Sequence, residues 1–375
     1  MRIKEQSRYD RQERITWWDQ ASLTKSNVLV VGAGALGNEI VKNLTLVGVG
    51  NITIVDMDTI EHTNLSRCVF FNEADEGKFK AEVLAAKAAI LNSEINIAYF
   101  NKPVQYLGDA YLAKFDLIIA GLDNREARVW LSASARRIGK ILIDGAIEGL
   151  MGKVQIFSPS GPCYACSMND KDWDLLAKRK SCTLLGKEEM LGGHTPTNST
   201  TSSIIAGVQV QESIKYLVGR GDLVALEDKI WRFTGDQLST FISLIDADEN
   251  CPYHDSADPI TSQKVLPDNF DELWQLFNLG DEDYISFADD VIQIDACSPC
   301  SGVAKIGFSD LMKGQGSCPG CDQELNVTLA KDIGPQQLLK GMIIDKEFWP
   351  LEFIVDVVTT NSRIRASLRK DQSGE

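Results

Sequence analysis

The segment that most constrains the fold is Asn27–Asp56, NVLVVGAGALGNEIVKNLTLVGVGNITIVD. It opens with an apolar run, continues through a glycine-rich turn and a helical stretch, and ends in a second apolar run. This order predicts strand, turn, helix and strand, the βαβ unit that opens a parallel sheet. Two more strand-like runs, FDLIIAGLD and KILIDGAIEG, alternate with helical stretches. We therefore expect an α/β domain with a Rossmann-like, mostly parallel sheet.

The glycine-rich turn, with Gly32, Gly34 and Gly37, predicts a nucleotide site. Its glycines allow backbone N–H groups to approach a phosphate at the start of the following helix. Asp56, at the end of the next strand, is placed to accept ribose hydroxyls. This pattern fits NAD as well as ATP, so the turn alone leaves both open, together with a purely structural turn.

Composition limits the class of partner. The chain has 53 acidic and 38 basic residues and a net charge of -15, which argues against a nucleic-acid partner. The charged start, MRIKEQSRYDRQER, predicts no signal peptide, and no apolar run reaches the roughly 20 residues that a membrane helix needs. Six of the nine cysteines form three C-x-x-C pairs, which in such a chain indicate metal ligands rather than disulfides. A cytoplasmic protein is expected.

Four further motifs occur in a fixed order along the chain: RYDRQ at 8–12, ITIVDMDTIEHTNLSR, GKFKAE and GLDNREAR. Together with the glycine-rich turn they resemble the ubiquitin-activating/MoeB/ThiF/HesA superfamily of adenylyltransferases, and the resemblance extends from Arg8 to His254. The positions that match the family's motifs are Arg11, Asp56, Asp58, Asn64, Leu65, Arg67, Lys80, Asp123, Asn124 and Arg128.

The resemblance implies that the chain uses ATP to adenylate the C-terminal carboxylate of a ubiquitin-like protein. Attack on the α-phosphate builds charge on the phosphates, which fixed cations stabilise. Arg67 and Lys80 are the candidates for this role, and Asn64 can donate from its amide. Asp123 would hold Mg²⁺, which prefers oxygen ligands. Arg11 would reach into the active site of a second copy, which implies a homodimer.

The first metal site is predicted from GPCYAC and DENCPYHD. Family members close the adenylation domain with a structural zinc bound by two C-x-x-C pairs. Cys163 and Cys166 supply the first pair, whereas Cys251 and His254 form a C-x-x-H. Histidine nitrogen is an ordinary zinc ligand, so a Cys₃His zinc site is expected.

Cys182, in RKSCTLLG, is the candidate catalytic thiol. It has no C-x-x-C partner, and Lys178, Arg179 and Lys180 precede it, which favours the thiolate. The resemblance to ubiquitin-activating enzymes implies that this cysteine accepts the acyl group as a thioester. In sulfur-carrier activating enzymes a thiol in a similar loop serves persulfide chemistry or nothing essential.

The C-terminal region carries a second predicted zinc site. Cys297, Cys300, Cys318 and Cys321 have the spacing of a Cys₄ zinc ribbon. Beyond them, residues 334–368 indicate a helix and two strands, which faintly resemble the β-grasp domain with which ubiquitin-activating enzymes recruit a conjugating enzyme.

These features predict an adenylation domain at 1–255 with a crossover loop at about 171–203. An acidic linker region at 256–290 and a zinc-bearing domain at 291–375 follow. Three alternatives remain open: a sulfur-carrier adenylyltransferase, an NAD-dependent oxidoreductase, and a non-catalytic scaffold like the inactive subunits of heterodimeric activating enzymes. The complete set of Arg11, Arg67, Lys80 and Asp123 argues against the scaffold.

Overall fold

The computed structural model describes residues 7–169, 172–174, 196–254, 258–297, 300, 304–336 and 342–371. They form two compact units. The first consists of residues 7–104, 112–168 and 196–254, and the second mainly of Gln105–Tyr111 and the described residues from 258 onward.

The first unit contains eight strands and most of the helices. The strands are β1 (Asn27–Val31), β2 (Asn51–Val55), β3 (Asn96–Phe100), β4 (Leu117–Ala120), β5 (Leu142–Glu148), β6 (Met151–Phe157), β7 (Lys229–Thr234) and β8 (Ser239–Leu244). The helices are α1 (Gln20–Lys25), α2 (Ala35–Val47), α3 (Lys80–Leu91), α5 (Arg125–Arg137) and α6 (Ser199–Leu217), and a short α4 (Asp109–Leu112) begins in the second unit's segment.

One sheet runs through this unit in the order β3-β2-β1-β4-β5-β6-β7-β8. The strands from β3 to β5 pair in parallel, and β6, β7 and β8 continue the sheet antiparallel. The residues of β4 are all buried, and β1 and β2 are buried after their first residue. Such continuous apolar strands are typical of a parallel sheet covered on both faces. The predicted α/β fold with a mostly parallel sheet is confirmed.

The strand order defines where a ligand can bind. From β1 the chain passes to β2 on one side, whereas β4 pairs with β1 on the other side. This is a topological switch point, and in open α/β sheets the crevice at the carboxyl ends of the strands beside it is the usual ligand site. The glycine-rich turn follows β1 at this edge.

Helix α6 begins earlier than the sequence predicts. The Ser/Thr-rich stretch assigned to the end of the exposed loop supplies the first turn of α6, from Ser199 onward. The reason is a local cap, since the side chain of Asn198 accepts the backbone N–H of Thr201 at 2.8 Å. Part of the polar stretch predicted as a loop is therefore the N-cap and first turn of a helix.

The second unit is a mixed sheet around an aromatic core. Its elements are β9 (Ser262–Val265), α7 (Phe270–Leu276), β10 (Tyr284–Ile294), β11 (Lys305–Phe308), β12 (Val327–Ile333), β13 (Glu352–Val358) and β14 (Arg363–Arg369). The strand order is β11-β10-β13-β14-β9, and β12 also pairs with β10. Phe287, Phe308, Trp349 and Phe353 pack against one another at its centre in edge-to-face, stacked and tilted pairs. The two predicted C-terminal strands are β13 and β14; the β-grasp resemblance stays a prediction.

The region predicted as an acidic linker contributes to this core. Between 258 and 290 the chain forms β9, α7 and the start of β10, and α7 buries Phe270 and Leu273. The acidic residues Asp271 and Glu272 lie in the first turn of α7, an amphipathic helix that buries its apolar side chains. The segment is therefore not a solvated linker. Within the described residues, none of the helices has both the length and the apolar character that crossing a bilayer requires.

Candidate nucleotide site and metal centres

The three glycines of the turn differ in how much space a side chain would have. Gly32 has a φ of 96°, and a Cβ there would lie 2.7 Å from the carbonyl oxygen of Gly121. A Cβ on Gly37 would lie 1.9 Å from the carbonyl oxygen of Gly32. At Gly34, by contrast, a Cβ would meet nothing within 4 Å. The fold therefore requires Gly32 and Gly37, whereas Gly34 leaves the surface before α2 open to a ligand.

Asp56 holds the turn in shape. Its carboxylate accepts the backbone N–H of Ala33 at 2.7 Å and that of Asp58 at 2.8 Å. Burial raises the pKa of Asp56, the charge of Lys80 opposes this, and the neighbouring Asp58 raises the pKa further. Asp56 therefore connects the ends of β1 and β2.

Lys80, the first residue of α3, is the central cation. Its Nζ lies 3.1 Å from Oδ2 of Asp58, and its side chain is 13% exposed. Burial by itself would lower the pKa of Lys80, but Asp56 and Asp58 outweigh it and the pKa is raised. Asp123, from the end of β4, acts in the same direction. Lys80 thus stays protonated among three carboxylates that come from two strand ends.

Arg67 and Asn64 lie in the loop after β2. Arg67 donates to the carbonyl oxygen of Thr63 at 2.5 Å, and the amide oxygen of the buried Asn64 accepts the backbone N–H of Glu61 at 3.0 Å. The adjacent Cys68 is buried, and burial raises its pKa to about 11, although Arg67 and Lys80 both lower it. The charges of both predicted cations therefore act on the same buried thiol, that of Cys68.

Asp123 and Asn124 follow β4 and lead into α5. Asp123 is exposed, and Asn124 caps α5 by accepting the backbone N–H of Glu126 at 2.9 Å. An exposed carboxylate beside Lys80 has the chemistry that Mg²⁺ prefers, since Mg²⁺ keeps several waters and takes one or two carboxylates. The residues present therefore fit a magnesium nucleotide.

Arg128 has a supporting position instead. Its buried guanidinium forms an ion pair with Asp144 in β5 and donates to the carbonyl oxygens of Leu122 and, at 3.0 Å, of Gly145. Burial raises the pKa of Asp144, while Arg128 and Lys153 lower it. By binding the Leu122 carbonyl, Arg128 fixes the loop that carries Asp123.

Asn38 is a site residue that the sequence motifs do not identify. It lies in α2, is fully buried, and donates to the carbonyl oxygens of Ala33 at 2.8 Å and Gly34 at 3.1 Å. Its amide oxygen accepts the backbone N–H of Phe70 at 3.1 Å. One side chain thus joins the glycine-rich turn to the loop that carries Arg67. An amide on the buried face of an apolar helix is the only signal that the sequence gives.

Arg11 is not brought to this cluster. Its neighbours hold the segment at the opposite edge of the sheet: Gln12 donates to the Val47 carbonyl at 2.9 Å, and Tyr9 OH accepts from Asn92 at 2.9 Å. Val47 is the last residue of α2, whose 13 residues span about 20 Å from the turn. Arg11 itself is exposed. It is therefore far from the glycine-rich turn of its own chain.

The first predicted metal cluster is assembled in the first unit. Sγ of Cys163 lies 3.8 Å from that of Cys166 and 3.6 Å from that of Cys251, and Nε2 of His254 lies 3.1 Å from Sγ of Cys166. A tetrahedron with zinc–sulfur bonds of about 2.3 Å has edges of about 3.8 Å. The four ligand atoms, all within 4.8 Å of one another, therefore fit zinc.

The second cluster lies in the second unit. The sulfurs of Cys297, Cys300, Cys318 and Cys321 are within 4.8 Å of one another, with 3.7 Å between the first and the last. The backbone N–H of Cys318 donates to the Gln323 carbonyl at 2.9 Å, which closes a tight turn around the second pair. This cluster could also hold zinc. Cys182 lies outside the described residues.

Comparisons with known proteins identify a family and several relatives. A model of the ThiF family matches residues 9–253. The NEDD8-activating enzyme E1 catalytic subunit of Dictyostelium discoideum is 40% identical over 159 residues, which cover 38% of this chain and 35% of that protein. The adenylyltransferase and sulfurtransferase MOCS3 of Arabidopsis thaliana is 34% identical over 149 residues, 39% of this chain and 32% of that protein. The chain thus spans about a third of the length of these relatives.

Solved structures of E. coli MccB share the fold. The complex of MccB with ATP covers 67% of this chain and 75% of its own, with a TM-score of 0.55 and 21% identity. At that identity the likeness concerns the fold alone. The family match, in contrast, includes the glycine-rich turn, Lys80, Asp123 and the first metal cluster up to Cys251. The chain belongs to the ThiF family.

Proposed function

We propose that this protein is an ATP-dependent activating enzyme that adenylates the C-terminal carboxylate of a ubiquitin-like protein. The observation that carries the proposal is the position of Lys80. It is held charged beside Asp56, Asp58 and Asp123 at the switch point of the sheet, next to the glycine-rich turn. A cation fixed beside phosphate-binding backbone and a metal-binding carboxylate suits attack at a phosphorus atom.

Each residue then has a defined part in the reaction. The glycine-rich turn and the start of α2 bind phosphate, and Asp56 binds the ribose. Lys80 and Arg67 stabilise the charge that builds on the phosphates, Asn64 donates from its amide, and Asp123 would hold Mg²⁺, which would supply further positive charge to the phosphates. The attacking oxygen is the substrate's carboxylate, and pyrophosphate is the leaving group.

Arg11 supports a dimeric enzyme. It lies about 20 Å from the glycine-rich turn of its own chain, as judged from the length of α2. A role on the phosphates is therefore possible only in the site of a second copy. We propose a homodimer in which each Arg11 completes the partner's site.

A second step follows on Cys182. The adenylate's acyl carbon is attacked by the thiolate, AMP leaves, and the modifier is held as a thioester ready for a conjugating enzyme. The support is the basic run of Lys178, Arg179 and Lys180 before an unpaired Cys-Thr, which favours the thiolate.

The first step is tested by exchange of labelled pyrophosphate into ATP. Exchange should require Mg²⁺ and a ubiquitin-like protein with a free C-terminus. Asp123→Ala should lose at least about 100-fold, as single stabilising groups at such sites do. Asp236→Ala, which removes an exposed acid between β7 and β8, serves as the control. Full exchange by Asp123→Ala would reject the role of this residue.

A sulfur-carrier adenylyltransferase is the second candidate, favoured by the similarity to MOCS3. The two candidate functions predict different products at Cys182. A thiol-sensitive adduct on a non-reducing gel, absent from Cys182→Ala although its exchange persists, favours the thioester pathway. Brisk exchange without an adduct, or a persulfide on Cys182, favours the sulfur carrier. An NAD-dependent oxidoreductase would instead bind NADH, which a fluorescence titration measures directly.

A further inference from the structure

Two cations face each other directly on the sheet beside the nucleotide site. Lys153 in β6 is the cross-strand partner of Arg232 in β7. Like charges in this position destabilise a sheet. Among the described residues, no carboxylate lies within ion-pair distance of either side chain. Asp144, which is close enough to attract Lys153, is already bound by Arg128.

The groups that do contact these cations are neutral. The Lys153 ammonium lies 5.6 Å from the ring centroid of Tyr164. The Arg232 guanidinium lies 5.5 Å from the ring of Phe241 and donates to the hydroxyl of Ser243 at 2.7 Å. These contacts orient the two cations. Asp144 compensates the charge of Lys153 only in part, since burial still lowers the pKa of this lysine.

Gln155 provides an independent sign that a polar ligand belongs here. It lies two residues from Lys153 in β6, and so on the same face of the sheet. Its side chain is 0% exposed, and within the described part of the chain neither its amide oxygen nor its amide nitrogen has a hydrogen-bond partner. Across from it, Oδ1 of Asp144 is also unpartnered. Buried polar atoms are nearly always paired. The amide N–H of Gln155 can donate to a carboxylate, whereas Oδ1 of Asp144 only accepts and is not explained by an anionic ligand.

The register places this cluster at the same edge of the sheet as the glycine-rich turn. Asp144 pairs with Ala120, the last residue of β4, and Lys153 pairs with Ala146 further toward the same edge. The charge of Arg125, two residues after Asp123, also acts on Lys153. Since β6 is three strands away from β1, the cluster lies about 14 Å to the side of the glycine-rich turn. A phosphate held at that turn does not reach Lys153.

We propose that Lys153, Arg232 and Gln155 form a subsite that binds a carboxylate of the C-terminal segment of the protein substrate. This inference rests on the proposed function, because it assumes that a peptide chain approaches the nucleotide from the β6 side. The two cations supply the charge, and the Gln155 amide supplies a donor. Two sources offer this chemistry: the terminal carboxylate as the chain docks, and an acidic side chain just before it.

Binding of small probes tests the subsite without the natural substrate. The full chain is titrated with N-acetyl-Gly-Gly, with its amide N-acetyl-Gly-Gly-NH₂, and with N-acetyl-Glu-Gly-Gly-NH₂, all in the absence of nucleotide. The variants are Lys153→Met, Arg232→Met and Gln155→Leu. Lys229→Met is the matched control, because Lys229 lies in β7 on the opposite face from Arg232.

We expect the wild type and Lys229→Met to bind a probe that carries a carboxylate and not the uncharged amide. Loss of one charged hydrogen bond should weaken binding about 10- to 150-fold in Lys153→Met and Arg232→Met. Binding of N-acetyl-Gly-Gly alone identifies the terminal carboxylate as the ligand; binding of the Glu-containing amide alone identifies an acidic side chain. Lys153→Met should also raise the melting temperature, since it removes a like-charge pair.

Two results overturn the proposal: no carboxylate probe binds, or the probes bind with equal affinity to wild type and to both charge-removing variants. A lowered melting temperature in Lys153→Met would further indicate a structural role. A fluorescent ATP analogue, titrated in the same samples, separates this outcome from a failure of the proposed function. If ATP binds and no carboxylate does, the subsite is rejected alone; if ATP does not bind, the proposed function is rejected independently of the subsite.

Discussion

Replacement of Arg128 by methionine tests how the loop with Asp123 is supported. Methionine keeps most of the aliphatic volume and removes the guanidinium. The side chains of Arg128 and Asp144 are only 7% and 2% exposed, so the change leaves a carboxylate without its cation in the interior. Removal of one partner of a buried pair costs about 3–5 kcal/mol. The double variant Arg128→Met/Asp144→Asn lacks the buried charge and should recover more than half of that loss.

The pH dependence of Arg128→Met has a defined sign. Burial already raises the pKa of Asp144, and loss of the cation that lowers it raises the pKa further. Above the unfolded value of about 3.9, the folded state then keeps a proton that the unfolded chain releases. Stability therefore falls as the pH rises, by about 1.4 kcal/mol per unit, until the folded-state pKa is passed. The double variant has no such carboxyl group and should lack this slope.

The assay must report on the first unit alone, because two compact units need not unfold together. Native-state hydrogen exchange of amides in β4 and β5, at pH 5 and pH 8, gives the free energy of opening of these strands. The reasoning is refuted if Arg128→Met stays within about 1 kcal/mol of wild type at both pH values. Equal destabilisation of the single and double variants would also refute it, since the cost would then not come from the unpaired carboxylate.

Three further predictions follow from the same geometry. Asn38→Leu should weaken binding of a fluorescent ATP analogue about tenfold or more, with an unchanged far-UV circular dichroism spectrum, because the amide joins the glycine-rich turn to the loop that carries Arg67. Gly37→Ala should lower the melting temperature strongly, because the added Cβ would lie 1.9 Å from the carbonyl oxygen of Gly32. Gly34→Ala should keep the wild-type melting temperature, because its Cβ meets nothing within 4 Å, but should bind ATP more weakly, because the methyl group covers the surface open to a ligand. Metal analysis should find two zinc ions per wild-type chain, and one zinc ion per chain in His254→Ala and in Cys318→Ser. A variant that still holds two zinc ions would reject the ligand set to which the replaced residue belongs.

The sequence by itself predicts those features that depend on local spacing. The run from Asn27 to Asp56 contains a complete βαβ unit, so strand, turn and helix follow from neighbouring residues. The same holds for the metal ligands, because a C-x-x-C or C-x-x-H pair presents both donors from one short turn. The donors of each predicted cluster lie close together, and the family match includes Cys163, Cys166 and Cys251 of the first cluster.

Only the tertiary structure decides which distant residues meet, because such contacts depend on strand order and register rather than on local pattern. Gln105–Tyr111 lies in the adenylation region of the sequence, yet its carbonyl groups accept the backbone N–H groups of Leu351 and Glu352, and it belongs to the second unit.

The supporting residues of the site follow the same principle. Asn38, in a helix, meets Phe70 in a loop, and Lys153 meets Arg232 across a strand pair that joins residues far apart in the chain. A one-residue slip in that pairing would turn these side chains to the other face. The sequence therefore determines the chemistry that is available, whereas the register of the folded sheet determines which groups combine into a site.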